Sequence, residues 1–246
     1  MSVEGKTVLV TGANRGIGRA LAAEALNRGA SRVYAGTRKP MSHPDPRITP
    51  VILDVTTTAD IQGAARQIGS LDILINNAGV FGYDDLSDQS ALEQHLAVNF
   101  YGALAVTQAF LPQLTRSRGA IVTIGSLVAL APLPLTPAYS ISKAAAFNMT
   151  QSLRALLAAR GVRVHAVLTG PVDTDMVRDL DIPKASPEQV ARAVYDGIGR
   201  GEEDIFPDPM SASMAESWRN GAAKALERDN AALTQAALAQ AQPVVS

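Results

Sequence analysis

The sequence contains no cysteine among its 246 residues, so disulfides, thiolate catalysis and cysteine-ligated zinc are excluded, and we predict no metal site. Neither sign of charge predominates, because 22 lysines and arginines face 23 aspartates and glutamates for a net charge of −1. We therefore expect neither nucleic acid nor a membrane as a partner. The N-terminus has no apolar targeting region, and no stretch offers 18 uninterrupted apolar residues, which predicts a cytoplasmic protein.

Strand and helix patterns alternate along the chain. Short β-branched or apolar runs occur at residues 6–11, 32–37, 48–54, 71–76, 120–124, 163–168 and 204–206. Helical patterns lie between them at residues 16–28, 57–68, 91–116, 139–160 and 186–199. This order predicts an α/β domain with one doubly wound parallel sheet of about seven strands and helices on both faces. We place the domain at residues 1–210 and expect the alanine-rich residues 211–246 to form a helical tail, packed on the domain or on a partner subunit.

A glycine-rich turn joins the first strand to the first helix. It holds Gly12, Gly16 and Gly18 where the backbone must turn tightly and approach a ligand closely. The N-terminus of the following helix presents free N–H groups and a positive dipole end, which suit a pyrophosphate. Turns need glycine for conformational reasons as well, but the position between the first strand and the first helix favours a nucleotide.

The end of the second strand indicates which dinucleotide binds. An acidic side chain there bonds both ribose hydroxyls, whereas an arginine attracts a 2′-phosphate. The sequence reads Thr37-Arg38 with no acid, and Arg15 in the glycine turn is placed to reach the same phosphate. We infer NADP(H) over NAD(H); the alternative is that both arginines are simply solvated.

Polar and small residues follow several strands at their carboxyl ends, where ligands bind in open parallel sheets. Asp54 is placed either to accept a hydrogen bond from an adenine amino group or to cap the next helix. Residues 76–79 (Asn-Asn-Ala-Gly) provide the small and amide side chains of a crevice. Asn99 lies in an apolar helical face and therefore needs a specific partner, in a structural or a catalytic role.

Residues 126–143 hold the chemistry that the rest of the chain would support. Tyr139 and Lys143 are four residues apart, so on a helix an ammonium shares a face with a phenol. A nearby cation lowers the pKa of a phenol toward the working range. Ser126, held in a loop at the carboxyl end of the preceding strand, can offer a hydroxyl to the same reacting oxygen. An isolated Tyr-x-x-x-Lys pattern is more often a surface pair, so the reading depends on the other motifs.

Taken together, these motifs resemble the short-chain dehydrogenase/reductase family, in its compact, carbonyl reductase-like branch. The resemblance covers about residues 5–206 and rests on an ordered set of motifs: Thr11-Gly12-x-x-x-Gly16-x-Gly18, Asp54, Asn76-Asn77-Ala78-Gly79, Asn99, Ser126, Tyr139-x-x-x-Lys143 and Gly170-x-x-x-Thr174. It implies a Rossmann fold in which Ser126 orients the substrate carbonyl and Tyr139 is the acid or base. It also implies that Lys143 bonds the nicotinamide ribose and lowers the tyrosine pKa, and that Asn99 helps to hold a water-linked proton relay.

The resemblance implies two residue sets around these catalytic groups. The cofactor-binding set is Gly12, Asn14, Arg15, Gly16, Ile17, Gly18, Thr37, Arg38, Asp54, Val55, Asn77, Ala78, Gly79, Tyr139, Lys143, Gly170, Val172, Thr174 and Met176. The substrate-binding set is Phe81, Ser126, Val128, Leu133, Tyr139, Val172 and Met176, with Val80 and Leu180 as further pocket walls.

The chain departs from the family pattern in three places. Relatives usually have Pro-Gly before the nicotinamide-binding turn, whereas this chain reads Thr169-Gly170-Pro171. A proline-rich loop at residues 39–50 replaces a helix, and the alanine-rich tail replaces a glycine-rich terminal strand. We expect a homodimer, through the helices at 91–116 and 139–160, or a homotetramer.

The function predicted is NADPH-dependent interconversion of an uncharged, mostly apolar ketone or aldehyde and its alcohol. The pocket walls are apolar and no additional cation is placed to bind a carboxylate or phosphate. The alternatives are a non-catalytic NADP(H)-binding sensor or scaffold, an enzyme of the same family that uses NAD(H), and a dehydratase or epimerase.

Overall fold

The computed structural model describes residues 1–179 and 181–241. Its centre is a seven-stranded sheet, parallel at every pairing, with the strand order β3-β2-β1-β4-β5-β6-β7. The strands are β1 (Thr7–Thr11), β2 (Arg32–Thr37), β3 (Ile48–Ile52), β4 (Ile73–Asn76), β5 (Ala120–Ser126), β6 (Arg163–Thr169) and β7 (Asp204–Ile205). The prediction of one doubly wound parallel sheet is confirmed.

Alternating apolar side chains cover both faces of this sheet. Val8 and Val10 of β1 belong to one core cluster, whereas Leu9 between them belongs to the other. Successive side chains of a strand point to opposite faces, so both faces of a central strand must be apolar when helices cover both. Helices α1 (Gly16–Asn27) and α6 (Pro187–Arg200) pack on the first face. Helices α2 (Thr58–Gln67), α4 (Ala103–Ser117) and α5 (Pro137–Leu157) pack on the second.

The helical stretch expected at residues 91–116 is not one continuous α-helix. It begins as α3 (Gln89–Leu96), passes through a π-helical segment (Ala97–Gly102) and continues as α4. At Gly102 the helix touches the residues after β3, because a Cβ there would lie 2.7 Å from Val55 Cγ2. Wide turns of this kind are frequent at functional sites, and Asn99 lies inside this one.

The described part of the tail folds back on its own chain. It forms α7 (Pro209–Ala212), α8 (Ala215–Arg219) and α9 (Ala222–Ala241). A buried charge network fixes it to α5 and β7: Lys224 Nζ lies 2.7 Å from Asp204 Oδ2 and 2.9 Å from Glu227 Oε2, and Arg154 Nη2 lies 2.8 Å from Asp204 Oδ1. The division at residue 210 stays a prediction, and residues 242–246 lie outside the described part.

Within the described ranges, no helix is both long and apolar enough to cross a membrane.

Candidate active site

The glycine turn between β1 and α1 has a backbone that only glycine accommodates at three points. Gly12 and Gly16 have φ angles of +67° and +51°, in the left-handed region that costs other residues free energy. At Gly18 the lack of space excludes any other residue, because a Cβ there would lie 2.3 Å from the carbonyl oxygen of Gly12 and 2.5 Å from Asn77 Nδ2. The turn is therefore built by close backbone approach.

Residues after β4 brace this turn. The Thr11 hydroxyl accepts hydrogen bonds from the backbone N–H groups of Asn77 and Ala78, both at 3.0 Å. The Asn77 side-chain amide donates to the carbonyl oxygens of Thr11 at 2.9 Å and Gly12 at 3.2 Å. Two residues predicted to bind the cofactor thus hold the loop that would carry it.

The N-terminus of α1 has the donors that a pyrophosphate needs. Arg15 is the N-cap and, within the described ranges, makes no side-chain hydrogen bond to the helix. The first turn of α1 also contains no acidic residue. Unsatisfied N–H groups beside a glycine cradle suit the phosphates of a dinucleotide, so the residues present fit this cofactor.

The sequence predicts that two arginines converge on an otherwise neutral site on the adenosine side. In the structure, carboxylates also lie on this side. Arg15 Nη1 lies 3.4 Å from Asp175 Oδ2, and both side chains are largely exposed. Asp54 Oδ1 accepts from the Thr56 N–H at 2.9 Å and the Thr56 hydroxyl at 2.7 Å. These two bonds, and more weakly the cation of Arg38, lower the pKa of Asp54. Each arginine therefore has a carboxylate nearby.

Other members of the predicted cofactor set divide into packed and open positions. Thr37 is buried and its hydroxyl donates to the Lys39 carbonyl at 2.7 Å. Val55 is buried and Ile17 packs against the core. Asn14 is exposed, and Thr174 lies against the glycine turn, since a Cβ on Gly16 would lie 3.0 Å from Thr174 Cγ2.

Ser126 and Tyr139 meet where β5 ends and α5 begins. Ser126 is the last residue of β5 and is buried, and Tyr139 lies in the first turn of α5. Desolvation raises the pKa of the Tyr139 hydroxyl to about 12, and its hydrogen bond with Ser126 opposes that rise. This direction is opposite to the one expected from the neighbouring Lys143, because burial disfavours the charged phenolate.

Lys143 lies beside the phenol as the spacing predicts. It is 7% exposed, and its Nζ is 5.6 Å from the centre of the Tyr139 ring. The ammonium donates to the Ile124 carbonyl on β5 at 2.9 Å. Burial lowers the pKa of Lys143 from its ordinary 10.5 to about 8, because desolvation disfavours the charged form.

This lowered pKa predicts how stability depends on pH. Between about pH 8 and 10.5 the unfolded chain keeps a proton on Lys143 that the folded chain has released, so the free energy of unfolding rises with pH there. We expect the stability of the wild type to rise relative to that of Lys143→Met between pH 8 and 9.5. Urea unfolding of both proteins at several pH values measures this difference. Parallel pH profiles for the two proteins contradict it.

Asn99 uses its side chain to fix its neighbours. Its Oδ1 accepts from the Val80 N–H at 2.9 Å, and its Nδ2 donates to the Val80 carbonyl at 3.0 Å and to the Ser142 hydroxyl at 2.9 Å. A Cβ on Gly79 would lie 3.2 Å from Asn99 Oδ1 and 3.8 Å from Lys143 Nζ. Asn99 therefore joins the segment after β4 to α5. Val80 and Ser142 are the specific partners that the sequence predicts for its amide.

The walls around Tyr139 are partly aromatic. The Phe81 ring contacts the Tyr139 ring edge to face with centres 5.1 Å apart, and the Tyr83 ring contacts Phe81 at 5.5 Å. Leu133 and Met176, which the sequence also predicts as walls, are 42% and 41% exposed.

Of three other predicted wall residues, one lies beside the site, one packs in the core and one lies outside the described residues. The Val128 N–H donates to Ser126 Oγ at 3.4 Å, which keeps Val128 beside the site. Val172 is 5% exposed and packs in the core cluster with Ala185. Its role as a substrate wall stays a prediction. Leu180 lies outside the described residues.

The structure adds residues to this site that pattern reasoning missed. Asp84 accepts from the Ala138 N–H at 3.2 Å and so caps α5 from another loop. His95 is buried, with its ring 6.2 Å from the Tyr139 ring. Asp208 accepts from the Gly170 N–H at 2.8 Å. Asp208 could have been found in the sequence from the aspartate-proline pair that begins a helix. No local sequence pattern indicates the contacts of Asp84 and His95.

Comparisons with known proteins agree with this geometry. A family model described as short chain dehydrogenase matches residues 6–184. The chain is 34% identical over 230 residues to "11-beta-hydroxysteroid dehydrogenase-like 3" of Arabidopsis thaliana, covering 83% of this chain and 74% of that protein. It is 34% identical over 206 residues to "2-(S)-hydroxypropyl-CoM dehydrogenase 3" of Xanthobacter autotrophicus, covering 77% and 81%.

A solved structure extends the likeness to three dimensions. It is a short chain dehydrogenase from Burkholderia cenocepacia J2315 in complex with NADP, with a TM-score of 0.84 and 37% identity. The alignment covers 89% of this chain and 95% of that one. The likeness therefore extends beyond the residues that the family model matches.

Proposed function

This chain belongs to the short-chain dehydrogenase family, and we propose that it is an NADPH-dependent oxidoreductase acting on an uncharged ketone or aldehyde and the corresponding alcohol. The observation that carries the proposal is the meeting of Ser126, Tyr139 and Lys143 at the carboxyl edge of β5. That edge adjoins the braced glycine turn, so a proton-transfer group lies beside a dinucleotide cradle.

In the proposed reaction the chain supplies binding, orientation and a proton. When bound, the reduced nicotinamide supplies a hydride to the carbonyl carbon. Ser126 orients the carbonyl oxygen, and the Tyr139 hydroxyl gives that oxygen its proton. Lys143 would hold the nicotinamide ribose, and Asn99 keeps the segment around Val80 in place beside it.

The two directions of the proposed reaction need different protonation states of Tyr139. With a pKa of about 12, the hydroxyl is protonated at neutral pH, which is the form that donates. Alcohol oxidation needs the phenolate instead, and its fraction increases as the pH rises toward that pKa.

The substrate class follows from the walls of the site. Phe81 contacts Tyr139 and Tyr83 contacts Phe81, and Leu133 and Met176 are the exposed apolar walls that the sequence predicts. Such walls suit an uncharged carbonyl compound of apolar character. The names of the Arabidopsis and Xanthobacter relatives refer to chemically different substrates. They therefore support the oxidoreductase class without selecting one compound.

The test is a panel of aliphatic and aromatic ketones, aldehydes and secondary alcohols, followed at the nicotinamide absorbance with NADPH or NADP⁺. We expect turnover of several uncharged ketones. The second candidate, a non-catalytic NADP(H)-binding sensor, predicts thermal stabilisation by NADPH with no oxidation of it by any compound. A product that has lost water or changed configuration with no net redox change would favour a dehydratase or an epimerase.

The preference for NADPH rests on Arg38 and Arg15 and is supported by the NADP complex of the Burkholderia relative. We expect Arg38→Ala to raise the Kd for NADPH by about tenfold, since a charge-assisted contact is lost, and to leave the Kd for NADH within about twofold of the wild type, because NADH lacks the 2′-phosphate. Titration calorimetry with both cofactors measures this.

Arg32→Ala is the matched control, because Arg32 is an exposed arginine at the opposite end of the same strand. Its Kd values are expected to equal those of the wild type. An equal loss of NADPH and NADH affinity in Arg38→Ala would contradict 2′-phosphate recognition by this residue.

A further inference from the structure

Asp208 is a buried carboxylate at the start of α7, beyond the residues 6–184 that the family model matches. It is 3% exposed. Its Oδ2 accepts from the Gly170 N–H at 2.8 Å and from the Ser211 hydroxyl at 2.8 Å, and its Oδ1 accepts from the Ser211 N–H at 3.0 Å. The carboxylate therefore joins two segments that are 38 residues apart in sequence.

The contact with Gly170 is close enough to require glycine. A Cβ at position 170 would lie 2.7 Å from Asp208 Oδ1 and 3.2 Å from Met210 Cβ. Any larger residue would have to displace the Asp208 carboxylate from its hydrogen bonds with Gly170 and Ser211. The carboxylate thus occupies the space that a side chain at position 170 would take.

Gly170 begins the turn that approaches the glycine loop. On one side, the Asp173 N–H donates to the Ala185 carbonyl at 2.8 Å and the Ala185 N–H to the Pro171 carbonyl at 3.0 Å. At its end, Thr174 lies against Gly16. Asp208 holds the opposite side of the turn, at its first residue.

The Gly170 N–H directly follows the end of β6. Thr169, the last residue of that strand, pairs with Ser126, and its hydroxyl donates to the Gly125 carbonyl at 3.2 Å. A hydrogen bond from the next N–H to a buried carboxylate is charge-assisted and is therefore stronger than a neutral one.

We propose that Asp208 is a positioning residue for the nicotinamide half of the cofactor, acting through the Gly170 N–H. The inference rests on the proposed function, because it assumes that the turn beginning at Gly170 contacts the nicotinamide. Asp208 itself touches the turn and not the reacting atoms. The C-terminal segment thereby contributes to cofactor binding although it lies outside the family match.

Two substitutions separate this role from simple capping of α7. Asp208→Ser keeps a good N-cap for Ser211, but its shorter side chain does not reach Gly170. Asp208→Asn keeps the length and one acceptor oxygen. We expect Asp208→Ser to raise the Kd for NADPH by about tenfold, as loss of one charge-assisted bond implies, and Asp208→Asn to have a smaller effect.

The distinguishing readout is the Kd for 2′,5′-ADP, the adenosine half of NADP without its nicotinamide. Calorimetry with each ligand is expected to show unchanged 2′,5′-ADP affinity in both variants. Asp204→Asn is the matched control: Asp204 is a buried carboxylate bonded to Trp218 and Lys224 and not to Gly170. Asp204→Asn is expected to lower Tm, while the ratio of the Kd for NADPH to the Kd for 2′,5′-ADP stays at the wild-type value.

Each result has a defined meaning. Equal weakening of NADPH and 2′,5′-ADP in the Asp208 variants, or wild-type NADPH affinity in Asp208→Ser, overturns the inference. If Asp208→Ser does not fold, the same comparison in Asp208→Asn decides. A wild type that binds neither ligand overturns the proposed function itself, which is a separate outcome.

Discussion

Replacing Tyr139 with phenylalanine is expected to lower kcat for ketone reduction by about 10³-fold, within the range that general acid catalysis contributes. The substitution removes the oxygen that carries the transferred proton and keeps the ring that contacts Phe81. Because the ring is kept, the pocket wall and the fold should persist. The Kd for NADPH should therefore stay within about threefold of the wild type, since a lost neutral hydrogen bond contributes little.

The measurement is steady-state kinetics with a ketone that the wild type reduces, alongside calorimetry with NADPH. Tyr34→Phe is the control, because Tyr34 lies on β2 and packs against a core cluster away from Ser126. It should retain the wild-type kcat. A Tyr139→Phe enzyme with unchanged kcat would falsify the proposed role of the phenol.

Replacing Gly18 with alanine is expected to destabilise the protein by about 3 kcal/mol, the upper part of the range for overpacking, and to abolish measurable NADPH binding. The added methyl would lie 2.3 Å from the Gly12 carbonyl oxygen and 2.5 Å from Asn77 Nδ2. Neither neighbour can yield cheaply: the first is backbone, and the second is held by Thr11 and Gly12. Relief of the clash must move α1 away from β1, which opens the cradle.

Gly63→Ala is the matched control for this change. Gly63 lies within α2, and a Cβ there meets no atom within 4 Å. Alanine should stabilise that helix by about 0.5–1 kcal/mol. Urea unfolding and NADPH calorimetry on the two variants give both quantities. A Gly18→Ala protein that binds NADPH like the wild type would show that the close approach is unimportant.

The strand and helix order could be predicted from the sequence because it depends on local patterns. The β-branched and apolar runs gave the strands of the sheet, and the helical periods between them implied the crossovers that parallel strands need. The glycine turn could be predicted for the same reason, since the backbone angles that require glycine at Gly12 and Gly16 are set within a few residues. The break at residues 97–102 could not, because apolar spacing continues through it.

The candidate site divides in the same way. The four-residue spacing of Tyr139 and Lys143 fixed that they share a helix face, and the structure places the ammonium 5.6 Å from the ring centre. The direction of the pKa shift of Tyr139 depends on how many atoms of other elements surround its hydroxyl. Desolvation raises that pKa to about 12, against the expectation from the neighbouring charge alone.

The sequence by itself determined the fold class, the order of the motifs and the candidate residues for proton transfer, because these follow from local periodicity, backbone angles and side-chain chemistry. Only the tertiary structure decided which groups are desolvated and which are braced. Val172 packs in the core, Asn99 binds Val80 and Ser142, and Asp208 reaches Gly170. Each of these outcomes depends on contacts between residues far apart in the chain, and no local pattern encodes them.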